Sequence, residues 1–147
     1  MSNNQTLFLS FNNAWLNLSA EALFFLTETT GGTSNFKLFY RLLFLMQLEE
    51  TVVTIRGIPV TIMPGQLNAP MNSLQEDWGI SRKCIGTFFD KLEKLGVIAK
   101  QSNRVTTIID MKCVFSWTDN EGRVKNVFFK QLDDKTIKDT THIVKKP

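Results

Sequence analysis

The chain has 147 residues, of which 43% are hydrophobic and 21% charged, and this length and composition are typical of a single globular domain. They exclude collagen-like, coiled-coil, mucin-like and intrinsically disordered proteins. The formal net charge of +3 is too small to indicate a partner by itself, and two cysteines are too few for a disulfide scaffold, so a reducing cytoplasm is the expected location.

No targeting or membrane-spanning segment is expected. Residues 1–6 contain no basic residue ahead of an apolar run, which argues against a secretory signal. The longest apolar stretch, residues 36–48, is interrupted by Lys37, Arg41 and Gln47 and falls short of the ~20 residues that cross a bilayer. We therefore expect a soluble protein without a membrane partner.

Charge is distributed unevenly along the chain. Residues 1–81 contain three basic and six acidic residues, whereas residues 82–112 contain seven basic and three acidic ones. Residues 113–122 are acidic, and residues 123–147 are basic again. Such patches are typical of a protein that places one face against an anionic polymer, although a solvated charged face would give the same pattern.

Residues 1–35 are predicted to form an N-terminal arm and a short helix. Alternating apolar residues at 7–11 favour a short strand or an ordered arm. Ser19 is placed to cap a helix over residues 20–26. The residues that follow, 27–35, are rich in threonine and glycine and predict a loop.

Residues 36–50 are apolar on nearly every face of a helix, which predicts a central helix wrapped by other elements, with Ser34 or Asn35 as its cap. The surplus of large apolar side chains is also typical of a dimer seam. The sequence does not distinguish an internal core from a homodimer. Two β-branched runs at 51–55 and 60–63 then predict an additional hairpin.

A helix-turn-helix is predicted next. A short helix over residues 71–78 ends at Gly79, which suits a left-handed exit, and Ser81 is placed to cap the following helix. That helix carries one buried stripe, made of Ile85, Phe88, Phe89, Leu92 and Leu95. Strands at 97–101 and 105–109 then predict a second hairpin.

Helix, three-residue turn, helix and hairpin, in this order, are typical of a winged helix-turn-helix. We therefore predict an α+β protein whose winged helix-turn-helix core spans residues 36–110 and includes the additional N-terminal hairpin. Residues 111–147 are predicted to add a C-terminal β-hairpin around a turn at 119–122 and a polar tail, within one domain overall.

Several local motifs lie in this core. They are Gly65-Gln66 after a hairpin, Trp-Gly-Ile-Ser-Arg at 78–82, Leu-Glu-x-x-Gly-x-Ile at 92–98 and a threonine-rich strand at 106–109. In these motifs the chain resembles the N-terminal winged-helix domains of DnaD-like replication-initiation proteins and phage replisome organisers, over about half of its length. The resemblance implies a protein of a phage or mobile element that acts in replication initiation or transcription control, with replication or regulatory proteins as partners.

A winged helix reads base edges in the major groove with the first residues of its second helix. Arg82 is the predicted base reader, because its guanidinium can bond guanine O6 and N7 together, whereas lysines suit phosphates. By position in the motif, the residues predicted to bind double-stranded DNA are Ser81, Arg82, Lys83, Gly86, Thr87, Lys91 and Lys94 from the helix and Asn103 and Arg104 from the wing.

An alternative interpretation uses the winged helix for protein contacts without DNA binding. Asp90 lies on the predicted exposed face of the second helix, so that face is mixed in charge. The small net charge also favours this alternative.

The sequence predicts neither an enzyme nor a cofactor or metal site. The single histidine, His142, lies far from Cys84 and Cys113, so a nucleophilic serine or cysteine would have no base. Glycine-rich phosphate-binding motifs, HExxH and CxxC do not occur. The paired carboxylates at 49–50 and 133–134 are chain neighbours that do not share a helix face.

Overall fold

The computed structural model describes residues 13–119 and 121–129, in which four helices alternate with short antiparallel strands. The elements are β1 (Trp15–Leu16), α1 (Ala20–Leu26), β2 (Thr29–Thr30), β3 (Thr33–Ser34), α2 (Asn35–Leu45), β4 (Thr51–Ile55), β5 (Ile58–Ile62), β6 (Gln66–Asn68), α3 (Met71–Trp78), α4 (Arg82–Lys94), β7 (Ala99–Ser102), β8 (Thr107–Asp110), β9 (Val114–Asp119) and β10 (Gly122–Lys125). The α+β class is confirmed. The predicted arm at 1–12, the tail at 130–147 and His142 lie outside the described residues.

Serine side chains begin three of the four described helices, as their sequence positions predict. Ser19 Oγ accepts from the backbone N–H of Ala22 at 3.0 Å, and Ser34 Oγ accepts from that of Lys37 at 3.3 Å. Each bond satisfies a donor that has no partner within its helix. α3 differs, because it follows Pro70 and has no side-chain cap.

Helix α2 ends earlier than predicted, and one of its faces is exposed. Residues 36–50 were expected to be helical, but the backbone becomes extended at Met46. The backbone of Gln47 instead pairs with the start of β6, since its N–H donates to the Gln66 carbonyl and its carbonyl accepts from Gly65, both at 2.8 Å. Phe36 and Phe44 are about 60% exposed, so α2 is not wrapped on all sides as expected.

The two predicted hairpins of the core form, with shifted bounds. β4 and β5 pair from Thr51 to Ile62 around a two-residue turn. The second hairpin, β7–β8, starts two residues later than expected, and Val97 and Ile98 are buried where the chain leaves α4. The predicted loop at 27–35 contains the short ribbon β2–β3.

Strand β6, which was not predicted, joins the second hairpin in an antiparallel sheet of order β6-β8-β7. Asp110 holds the three strands together from β8. Its carboxylate accepts from Gln66 Nε2 of β6 at 2.8 Å and from Gln101 Nε2 of β7 at 2.9 Å. These hydrogen bonds hold the β7–β8 hairpin against β6.

Three aromatic rings pack where α3 meets α4. Trp78 makes edge-to-face contacts with Phe88 and Phe89, with ring centroids 6.4 and 6.0 Å apart. All three side chains are buried, and such pairs contribute about 0.5–1.5 kcal/mol beyond their buried area. Trp78 therefore belongs to the hydrophobic core.

The predicted C-terminal hairpin is formed by β9 and β10, and β1 extends it into a three-stranded sheet. Trp117 is fully buried beneath this sheet. Asn126, after β10, donates from Nδ2 to the carbonyls of Met111 and Val114 at 2.9 and 2.8 Å. This side chain therefore joins the residues after β10 to Met111 and to the start of β9.

Both cysteines are free thiols. Burial raises the pKa of the Cys113 thiol to about 12, so this group stays protonated and unreactive near neutral pH. Cys84 is half-buried on α4 beside the β2–β3 ribbon. Among the residues that the structure describes, no helix combines the length and the apolar character needed to cross a bilayer.

Candidate nucleic-acid interface

The orientation of α4 follows from the turn that precedes it. Gly79 adopts a left-handed conformation with φ +69°, and Ile80 is buried. Ser81 then caps α4 by accepting from the Cys84 N–H at 3.1 Å. Ser81 was predicted to bind DNA; because its oxygen caps the helix, its hydroxyl proton is the group left to donate to a phosphate.

One face of α4 is exposed, and it carries several of the predicted residues. The predicted buried stripe is confirmed at Ile85, Phe88, Phe89 and Leu92, which are fully buried, whereas Leu95 at the end of the helix is half-buried. At 100° per residue, Lys83, Thr87 and Lys94 fall within about 40° of one another on the opposite side. All three side chains are exposed. Lys94 lies about 18 Å from Arg82 along the helix axis, so the two contact separate parts of any ligand.

Arg82, in the first turn of α4, reaches back to α3. Its Nη1 donates to Asn72 Oδ1 at 3.1 Å, and the side chain is exposed. A cation at a helix N-terminus opposes the macrodipole by about 0.3–1 kcal/mol. The charge of Arg82 therefore destabilises the isolated helix slightly, and a neighbouring anion would compensate it.

The β7–β8 turn carries the other two predicted residues. Asn103 shapes the turn, since its Oδ1 accepts from the N–H groups of Val105 and Thr106 at 2.7 and 2.8 Å. Its oxygen is therefore engaged, and only its amide NH₂ can contact a ligand. Arg104 follows at the tip and is exposed.

A groove of about 370 Å³ brings Arg82, Asn103 and Arg104 together. It runs between the β7–β8 turn, the start of α3 and the β4–β5 turn. The described residues that line it include no carboxylate; they are Ile55, Arg56, Pro70, Met71, Asn72, Ser73, Arg82, Asn103, Arg104, Val105, Thr106 and Thr107. Arg56, Asn72 and Ser73 were not predicted as site residues, because their place in the groove depends on tertiary packing.

Lys91 does not join this groove. Its Nζ lies 6.0 Å from the centroid of the Phe25 ring of α1, on the flank of α4 that faces away from Arg82. Lys91 was predicted to bind DNA together with the other cations of the helix, and the structure places it beside α1. Helix periodicity alone places Lys91 opposite Arg82, but its position beside α1 is set by tertiary contacts.

The acidic residues of α4 are engaged on the side of β7. Asp90 forms an ion pair with Lys100, with 2.5 Å between Oδ1 and Nζ. Glu93 Oε2 accepts from the backbone N–H of Lys100 at 3.0 Å. Lys100, which the sequence analysis did not single out, thus compensates the charge of Asp90 at the exposed face. The face remains mixed in sign, but its carboxylates lie outside the groove.

Compared with models of protein families, with curated proteins and with solved structures, the chain matches none. Over residues 13–119 and 121–129, no group of three or more histidine, cysteine, aspartate or glutamate side chains is placed to hold a metal ion.

Proposed function

We propose that this chain is a winged-helix protein that binds duplex DNA, with α4 as the recognition helix and the β7–β8 turn as the wing. Apart from the β4–β5 hairpin inserted between α2 and β6, the element order α2, β6, α3, α4, β7, β8 supports this assignment, as does the strand order β6-β8-β7. In a helix-turn-helix the second helix enters the major groove and the first crosses the backbone.

One observation carries the proposal: Arg82 of α4 and Arg104 of the β7–β8 turn line the same carboxylate-free groove. Guanidinium groups match the geometry of phosphates and of guanine edges. Lys83, Thr87 and Lys94 are exposed on the same helix, on a face that also carries the Asp90–Lys100 ion pair. A cationic wall beside an exposed polar helix face suits a duplex whose backbone meets the groove while α4 meets the bases.

The cellular process in which the protein would bind DNA is the less specific part of the proposal. Replication initiation or transcription control, in a cytoplasmic protein of a phage or mobile element, rests on the resemblance of about residues 37–110 to DnaD-like winged helices. A binding protein of this kind requires neither a cofactor nor a catalytic residue.

Fluorescence anisotropy of a labelled random-sequence duplex, titrated with the protein at 50–200 mM salt, tests duplex binding. If about four phosphates are neutralised, the affinity is expected to fall roughly a hundred-fold over this range. Circular dichroism confirms that the protein is folded under each condition. A folded protein that shows no binding at 50 mM salt would contradict the proposal.

Gly86 gives a separate test of close contact between α4 and the duplex. It lies inside the helix, and a Cβ placed there would meet no described atom within 4 Å. Glycine in a helix costs about 0.5–1 kcal/mol relative to alanine, so Gly86→Ala should raise the free energy of unfolding by that amount in urea titrations. If the backbone approaches DNA here, the same substitution should weaken duplex binding. A more stable variant with unchanged affinity would rule out close approach at this position.

The alternative, a winged helix used for protein contacts, is supported by a different surface. Phe36, Phe44 and Leu45 are exposed on α2. A largely apolar groove of about 630 Å³ lies beside Phe44 and Leu45, between α2, β4 and α3. Exposed apolar clusters of this kind are typical of protein interfaces, including homodimers. A folded protein that does not bind duplex DNA would favour a function in protein contacts.

A further inference from the structure

We propose that the β4–β5 turn is a second DNA-contacting element, in which Arg56 binds a backbone phosphate across the groove from Arg82 and Arg104. The inference rests on the proposed duplex binding and extends its contact surface beyond α4 and the β7–β8 wing. The ligand group is the phosphodiester of duplex DNA, and the contact is independent of sequence.

Three arginines from three separate elements meet at this groove. Arg56 comes from the β4–β5 turn, Arg82 from the start of α4 and Arg104 from the β7–β8 turn. None of the described lining residues is acidic, so their mutual repulsion is not compensated within the groove. The same three charges become favourable when an anionic strand lies between them, because guanidinium–phosphate hydrogen bonds are charge-assisted.

The backbone conformation of Arg56 does not favour arginine, so the turn itself does not explain why this residue is there. Ile55 pairs with Ile58, which leaves Arg56 and Gly57 as a two-residue connection. Their φ values of +53° and +78° define a turn in which asparagine, aspartate or glycine is preferred at the first position. Arg56 is the one non-glycine residue with positive φ among those the structure describes. A long cation therefore stands where the backbone favours a short polar side chain.

The start of α3 makes the groove still more favourable to a phosphate. Met71, Asn72 and Ser73 line it, and the helix begins after Pro70 without a side-chain cap. Backbone N–H groups in the first helical turn carry partial positive charge. These N–H groups add to the positive field of the three guanidinium groups, but the proposed role of Arg56 does not depend on them.

Four proteins test the inference by anisotropy of the same duplex at several salt concentrations: the wild type, Arg56→Asn, Arg56→Lys and Lys37→Gln. We expect Arg56→Asn to weaken binding about five- to tenfold near 0.1 M salt and to reduce the log–log salt slope by about 1. Arg56→Lys should keep the slope, because it retains the charge. Lys37 is exposed on α2 and does not line the groove, so Lys37→Gln should leave both quantities unchanged.

Thermal melting separates a lost contact from a lost fold. Asparagine adopts positive φ more readily than arginine, so Arg56→Asn should melt at the wild-type temperature or above. If the wild type binds and Arg56→Asn binds with the same salt slope, the proposed contact between Arg56 and a phosphate is wrong, while the proposal of duplex binding is retained. If Lys37→Gln lowers the slope equally, net charge rather than the groove is responsible and the inference fails. A folded wild type that does not bind overturns both proposals.

Discussion

Replacing Gly65 with alanine is expected to lower the free energy of unfolding by about 3 kcal/mol or more. Gly65 connects the β4–β5 hairpin to β6, with φ +96°, a conformation that an alanine adopts only with strain. Its N–H donates to the Gln47 carbonyl at 2.8 Å, and its carbonyl accepts from Met111 at 3.0 Å. The backbone therefore cannot relax without breaking hydrogen bonds on both sides.

The larger part of this effect comes from Asn126. A Cβ on Gly65 would overlap Oδ1 of Asn126 and lie 2.9 Å from its Cγ. Asn126 is only 5% exposed, donates twice through Nδ2 and accepts from the Phe128 N–H at 3.0 Å. Displacing this side chain leaves buried polar groups unsatisfied, at about 1–3 kcal/mol each.

Gly57→Ala is the matched control for backbone strain. Gly57 also has positive φ, but a Cβ there meets no described atom within 4 Å, so about 1–2 kcal/mol of strain is the whole expected effect. Urea unfolding of both variants gives the comparison. A double-mutant cycle of Gly65→Ala with Asn126→Ala should show a coupling above about 1 kcal/mol. Equal losses for Gly65→Ala and Gly57→Ala would show that Asn126 gives way without penalty.

The elements that the sequence predicted well are those set by local interactions. The caps at Ser19, Ser34 and Ser81 each involve an N–H three residues away, and Gly79 ends α3 through its own backbone. The buried stripe of α4 follows from periodicity alone. Such features need no knowledge of the rest of the chain.

What the sequence did not predict depends on contacts between distant residues. The early end of α2 is caused by pairing of Gln47 with Gly65 and Gln66, and β6 exists because it pairs with β8. The candidate site divides in the same way. The exposed face of α4 was predictable, whereas the position of Arg56 beside Arg82 and of Lys91 beside α1 depends on how separate elements pack.

The double variant Arg82→Ala, Lys83→Ala is expected to weaken duplex binding about fifty-fold or more near 0.1 M salt. Each removed phosphate contact accounts for about five- to tenfold and lowers the salt slope by about 1, and a lost bidentate base contact adds to this. The loss should not come from unfolding. Both side chains are exposed. Removing cations from the start of α4 relieves about 0.3–1 kcal/mol of unfavourable interaction with the helix dipole. This gain offsets the loss of the exposed hydrogen bond from Arg82 to Asn72.

Lys37→Ala, Lys125→Ala is the matched double control, because it removes two exposed charges that do not line the groove. It should bind with nearly the wild-type slope. The single variants then separate base reading by Arg82 from phosphate binding by Lys83. If Arg82 reads a base, Arg82→Ala should reduce discrimination between duplex sequences, while Lys83→Ala weakens all duplexes alike. If the double variant and its control lose affinity equally, the attraction is to net charge, and α4 is not the recognition helix.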